Sequence, residues 1–183
     1  MPDRTHALNT EKVSGGKKNK ERVTAMVCAN MDGSDKRKLM IIGKSKQPRC
    51  MKNVQSLPVT YESNANSWMT SHIYESWLRD FDRDMKLQDR KILLLVDNCP
   101  AHPQVADLTN IRLEFLPPNT TSILQPMDMG IISCLKKVYR RQMCGKLIAS
   151  FDPESTEPIN IETLAKSITL LDAITMVDRK SVV

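Results

Sequence analysis

The run Lys91-Ile-Leu-Leu-Leu-Val96 constrains this chain most. Its apolar residues do not alternate with polar ones, which predicts a strand covered on both faces. Asp97-Asn98-Cys99-Pro100-Ala101-His102-Pro103 follows at once, and its two prolines end regular structure. Further on, Ile111, Leu113 and Phe115 alternate with Arg112 and Glu114, the pattern of a half-exposed strand. That run leads through Pro117-Pro118 to Gln125-Pro126-Met127-Asp128. Both Asp97 and Asp128 therefore stand where a buried element meets polar, proline-marked chain.

The remaining elements follow from local pattern. Val23 to Asn30 and Lys38 to Gly43 read as two strands of a hairpin, joined by Met31-Asp32-Gly33-Ser34-Asp35 with Asp-Gly turn chemistry. Gln55 to Tyr61, which contains Pro58, is an expected short edge strand. From Trp68 to Met85 the period is helical: Ile73, Tyr74, Trp77, Leu78 and Phe81 share one face, and Thr70 is the expected N-cap. Aromatic residues at that spacing are assigned to the core rather than to base stacking. Asp128 precedes a long helix with the apolar stripe Ile131, Ile132, Leu135, Val138 and Tyr139. A last helix is expected from Asn160 to about Val177. The order hairpin, helix, strand, short helix, strand, helix predicts an α/β fold with a mixed sheet flanked by helices. Residues 1–150 are expected to form the domain, and 151–183 an acidic linker and C-terminal helix.

At 183 residues the chain is long enough to bury a core, and no apolar run reaches the roughly 20 residues of a membrane helix. The start, Met1-Pro2-Asp3-Arg4-Thr5-His6, lacks the apolar segment of a signal peptide. Five scattered cysteines read as reduced thiols of an intracellular protein. The net charge of +6 is concentrated at the front, where residues 1–52 carry 13 Lys/Arg against 5 Asp/Glu. That imbalance suits a polyanionic partner, because basic side chains displace counterions condensed on nucleic acid. The candidate phosphate contacts are Lys17, Lys18, Lys20 and Arg22, then Lys44, Lys46 and Arg49, and on the long helix Lys136, Lys137, Arg140 and Arg141. A solvated basic surface is the alternative.

A carboxylate at a strand end is a natural hard-oxygen ligand for Mg²⁺ or Mn²⁺, and a second carboxylate arriving before a helix could share the ion. Asp97 and Asp128 are the candidates, with Asn98 holding a water beside them. The alternatives are local: Asp97 as the acceptor of an Asx-turn and Asp128 as a helix N-cap. Cys99 and His102 mimic half of a zinc site without a second pair. As a general base His102 has no oriented partner in the sequence.

Six ordered motifs carry a resemblance: Arg22 to Gly33, Ile42 to Cys50, Trp68-Met69-Thr70, Leu94 to Pro103, Leu116 to Ser122 and Gln125 to Ile132. Over nearly the whole chain they resemble the DDE catalytic domain of the pogo/Tigger transposases, whose relatives include jerky-like proteins and centromere protein B. The resemblance implies a ribonuclease-H-like fold, Mg²⁺-dependent DNA cleavage and strand transfer, and a nuclear protein that associates with DNA. It maps two of the family's three acidic ligands onto Asp97 and Asp128. Met129 stands where the family usually has Gln. The family's first catalytic aspartate lies on a first core strand just upstream of the segment beginning here at Met1. That strand and its carboxylate are expected to be missing, since Asp3 and Glu11 do not match the position. Three functions compete: a DDE domain bound to DNA but catalytically impaired, an active endonuclease completed by upstream sequence or a partner, and a protein-interaction remnant or homo-oligomer.

Overall fold

The fold is assembled on one amphipathic helix, α1 (Ser71–Leu87). The computed structural model describes residues 22–118, 120–149 and 167–178. Thr70 caps α1 as its sequence predicts: its hydroxyl accepts from the Ile73 amide at 3.4 Å. Ile73, Tyr74, Leu78, Phe81 and Met85 are buried along one face, the 3.6-residue period made physical. Trp77 packs half-buried beside them, whereas Trp68, just before the helix, is 65% exposed and outside the core.

Two small sheets lie against this helix. In the first, β1 (Thr24–Met26) pairs antiparallel with β2 (Met40–Gly43), and β2 pairs parallel with β3 (Thr60–Ser63) at the edge. The expected hairpin is thus present, with shorter strands than the apolar runs. Its turn places Gly33 at φ +74°, the left-handed position that the Asp-Gly pair predicts. The Asp32 carboxylate accepts from the Ser34 amide at 2.9 Å and tightens the turn. In the second sheet, β4 (Ile92–Val96) pairs parallel with β5 (Ile111–Phe115). The chain between them contains no helix: Pro100 and Pro103 deny it a continuous N–H series, so the short helix expected there is replaced by turns. The single mixed sheet expected from the element order is two sheets among the described residues.

Which strand is covered on both faces also differs from expectation. β2 is buried at every position. Met40 and Ile42 pack with Ile73 of α1, while Ile41 packs with Val59 and with Ile174 of the last helix, α4 (Leu170–Asp178). β4 is covered on one face only. Val96 with Ile92 and Leu94 meets α1, but Leu93 and Leu95 remain 57% and 52% exposed. The cause is layering: helices lie on both sides of β2, and only α1 covers β4 among the described residues. β5 keeps the alternation read from its sequence, with Ile111 and Leu113 buried and Arg112 and Glu114 exposed.

Two polar anchors tie the sheets to α1. Arg37 on the hairpin lies 4.3 Å above the Phe81 ring and pairs with Asp84 at 2.5 Å. Asp82, buried within the helix, accepts hydrogen bonds from the backbone of Thr109, Asn110 and Ile111, the chain entering β5.

Beyond β5 come a short turn of helix, α2 (Thr121–Leu124), a kinked segment (Met127–Ile131) and a long helix, α3 (Ile132–Ala149). Only Leu135 of the expected α3 stripe is buried, and Ile131 is exposed. α3 packs against α4, and Lys146 pairs with Asp172 between them. The last helix starts later than its pattern predicts, because Ser167 to Thr169 are not helical; residues 160–166 lie outside the described residues. Thr169 and Asp172 cap that start reciprocally, the Asp172 amide donating to the Thr169 hydroxyl at 3.2 Å and the Thr169 amide to the Asp172 carboxylate at 2.9 Å. The hydrogen bond from Lys146, and then those from the Thr169 amide and hydroxyl, hold the Asp172 carboxyl down to about 2. A depressed carboxyl stabilises the fold above its unfolded pKa and loses that contribution as the pH falls through the folded value. The stability difference between the native chain and Asp172→Asn is therefore expected to be full at pH 5 and to vanish towards pH 2, read by urea unfolding across that window.

Candidate active site

The first candidate ligand stands where a strand end would put it. Val96 closes β4, its carbonyl accepting from the Leu116 amide at 2.8 Å, and Asp97 is the next residue. The chain then folds back on itself. The Cys99 amide donates to the Asp97 carbonyl at 3.0 Å, and the His102 amide to the Cys99 carbonyl at 2.8 Å. This turn carries His102 Nδ1 to 2.6 Å from Asp97 Oδ1. Both side chains are partly shielded, at 17% and 28% exposure. Asp97 thus uses its carboxylate on an imidazole rather than on an Asx-turn. His102 has the oriented partner that the sequence did not reveal. Its Nδ1 is engaged by Asp97, which leaves the zinc half-site reading without that nitrogen.

Tyr74 supplies the floor. Its ring lies 4.5 Å from the His102 ring, inclined by 36°. The residue is 2% exposed, and its hydroxyl has no hydrogen-bond partner among the described residues. Burial, with added repulsion from Asp97 and Cys28, pushes the phenol up to about 12, so it stays protonated. The helical period identified Tyr74 as core. Nothing in the sequence pointed to its contact with the Asp97 loop, because the two lie on separate elements.

Asp128 precedes the long helix, as expected, without capping it. It is exposed in the kinked segment, its amide donating to the Gln125 carbonyl at 3.0 Å. Gly130 adopts φ +138°, outside the helical range, and α3 begins only at Ile132. Asp128 therefore does not cap α3, and its carboxylate makes no hydrogen bond or ion pair among the described residues. Asn98 and Met129 are exposed as well. Carboxylate oxygens suit a hard divalent cation, so the donor chemistry fits Mg²⁺ or Mn²⁺. The donor count is short: among the described residues no group of three or more His, Cys, Asp or Glu gathers closely enough to hold a metal ion.

The basic candidates are surface groups. Arg22, Lys44, Lys46, Arg49, Lys136, Lys137, Arg140 and Arg141 are all exposed, and none forms an ion pair among the described residues. Lys17, Lys18 and Lys20 lie outside the described residues. α4 packs against both α3 and the turn Arg49–Met51, so two of the basic groups flank one helix. A cleft of about 410 Å³ opens elsewhere, between the hairpin and α1. Lys36, Arg37 and Lys38 line it opposite Glu62, Asp80 and Asp84, so its charges are mixed. No helix of the described residues is long and apolar enough to cross a membrane.

The mixed α/β architecture, with Asp97 at the end of a parallel strand and Asp128 before a long helix, is consistent with the family that the motifs resemble. The family model for the DDE superfamily endonuclease matches residues 20–180, and the chain belongs to that family. It is 42% identical over 152 residues to Tigger transposable element-derived protein 4 of Mus musculus, covering 83% of this chain and 30% of that protein. It is 36% identical over 174 residues to Tigger transposable element-derived protein 7 of Homo sapiens, covering 86% and 32%. CENP-B homolog protein 2 of Schizosaccharomyces pombe is 35% identical over 144 residues, 72% of this chain and 28% of that one. The chain spans about a third of the length of these relatives. No solved structure matches.

Proposed function

We propose that this chain is a DDE-type domain of a nuclear protein that associates with DNA, with Asp97 and Asp128 as metal ligands and Asn98 beside them. Family membership together with the position of Asp97 directly after β4 carries the reading. A bound Mg²⁺ or Mn²⁺ would supply charge neutralisation for phosphodiester cleavage. Two carboxylates are one short of the set the family uses, so this chain alone is a poor nuclease. Among the described residues β1 and β4 each stand at the edge of a sheet, and Leu93 and Leu95 of β4 are exposed. Active cleavage is the alternative where further chain supplies the third carboxylate. The protein-interaction alternative through the last helix is weaker, since Ile174 and Met176 are buried in the fold.

The experiment is in two parts. Binding to a 25-base-pair duplex, followed by fluorescence anisotropy, is expected at 50 mM salt and to weaken about a hundredfold by 200 mM, the slope of about four displaced counterions. Exchanging Lys136, Lys137 and Arg140 for alanine should flatten that slope with little regard to DNA sequence. Affinity indifferent to salt, or no binding at low salt, would remove the nucleic-acid reading. In a plasmid-nicking assay with Mn²⁺, no turnover above background is expected. Turnover abolished by Asp97→Asn would overturn the impairment.

A further inference from the structure

The helical period places Trp77 against the core, but Trp68 lies outside it, 65% exposed on the loop between β3 and α1. We propose that Trp68 is a stacking platform for an unpaired base, with Lys44 and Lys46 as the phosphate contacts beside it, so that the ligand is single-stranded nucleic acid. The inference rests on the reading of the chain as a DNA-associated domain. It deepens that reading by naming the state of the nucleic acid and the residue that recognises it.

A single exposed apolar side chain is ordinary on a protein surface. Trp68 differs in how firmly its backbone is held. Its amide donates to Asn64 Oδ1 at 3.2 Å, and its carbonyl accepts from Asn64 Nδ2. The same Asn64 oxygen accepts from the Asn66 amide at 3.0 Å, and the Ser67 amide donates to the Asn64 carbonyl at 3.0 Å. On either side, Ser67 is buried and Met69 packs against the α1 core. Both neighbours are anchored while the indole between them faces solvent, so a ligand that stacks there has little backbone to order. The charge lies alongside. The Asn64 amide donates to the Gly43 carbonyl at 3.1 Å, which sets the Trp68 loop against the segment beginning at Lys44. That segment is fastened in turn by the Tyr61 hydroxyl, which donates to the Ser45 carbonyl at 2.7 Å. Residues 44–61 hold Lys44, Lys46, Arg49 and Lys52 and no Asp or Glu. A fixed aromatic face beside exposed lysines suits a single strand, because the π-face takes any base and the cations follow the backbone. Within a duplex the bases stack on one another and present no face to a surface indole.

The test uses the full chain with two probes: a thymidine oligonucleotide of about 12 nucleotides, and an abasic one of equal length and charge. At about 50 mM salt the thymidine probe is expected to quench tryptophan emission and to bind about tenfold more tightly than the abasic one. Trp68→Ala should weaken thymidine binding about tenfold or more and leave abasic binding unchanged. It should also abolish the quenching, since the remaining Trp77 packs between Tyr74 and Phe81. Trp68→Phe should keep most of the affinity. Exchanging Lys44 and Lys46 for alanine should lower the salt slope by about two and leave the preference for bases intact. A native chain that holds both probes equally, or a Trp68→Ala chain that binds thymidine like the native one, overturns the stacking role and leaves duplex binding standing. Absence of binding to the duplex and to both probes at low salt removes the nucleic-acid reading, and the stacking role with it. Should Trp68→Ala fail to fold, the native chain's choice between the two probes and its quenching still decide.

Discussion

Replacing Asp82 by alanine is expected to destabilise the fold by about 4 kcal/mol. Asp82 Oδ1 accepts from the Asn110 and Ile111 amides at 2.8 and 2.9 Å, and Oδ2 from the Thr109 amide and hydroxyl, both at 3.1 Å. The residue is 8% exposed, so water does not substitute readily for the lost oxygens. A hydrogen bond to a charged group contributes about 1.5–3 kcal/mol, less than additively within one cluster, and donors left buried without acceptors add to the loss. Asp82→Asn should cost nearly as much, since one oxygen becomes an amide that faces backbone N–H groups. Burial works against ionisation here. The amides of Thr109, Asn110 and Ile111 and the Thr109 hydroxyl outweigh it and hold the carboxyl below its usual range. The contribution is therefore full at neutral pH and lost as the pH falls through the depressed folded value. Urea unfolding followed by tryptophan fluorescence measures it. A loss under about 1 kcal/mol would mean that the β5 entry holds its shape without this carboxylate.

Leu78→Ala should cost about 3–4 kcal/mol. Leu78 is fully buried, in the cluster that joins Tyr74, Phe81 and Met85 of α1 to Val96, Val105, Ile111 and Leu113. Alanine loses the transfer energy of the deleted methyl groups and leaves a cavity that the flanking strands fill only in part. Because Val96 and Val105 bracket the Asp97 turn, faster amide exchange from Asn98 to His102 is expected together with the loss of stability. Leu95→Ala is the contrasting measurement. At 52% exposure it should cost under about 1 kcal/mol in this chain. A loss equal to that of Leu78 would show that the outer face of β4 is covered in solution, as the apolar run alone predicts.

The parts of the fold legible in the sequence are those decided by near neighbours. Thr70 caps α1 through a residue three positions away, and the buried face of α1 follows from spacing within the helix itself. The Asp32-Gly33 turn sets the hairpin in the same way. The second face of β4 was illegible because a strand's own residues say how apolar it is, not which layers exist to cover it. Asp128 precedes α3 as its sequence position predicts, but Gly130 interrupts the helix between Asp128 and Ile132, so the N-cap alternative fails; a periodic stripe does not register a single backbone excursion. In the candidate site, motif resemblance located Asp97, whereas its imidazole partner and the Tyr74 floor required the path of the turn.

By itself the sequence determined the family, the α/β character and the concentration of positive charge. Those properties reside in residue type and order along the chain. Tertiary structure alone decided that β2 rather than β4 is enclosed, that Asp82 is spent on fastening a strand, and that Asp97 meets His102. Each of these depends on groups brought together across turns and layers. A hydrogen bond or a buried face exists only when both partners arrive, and the spacing of one of them does not say where the other will be.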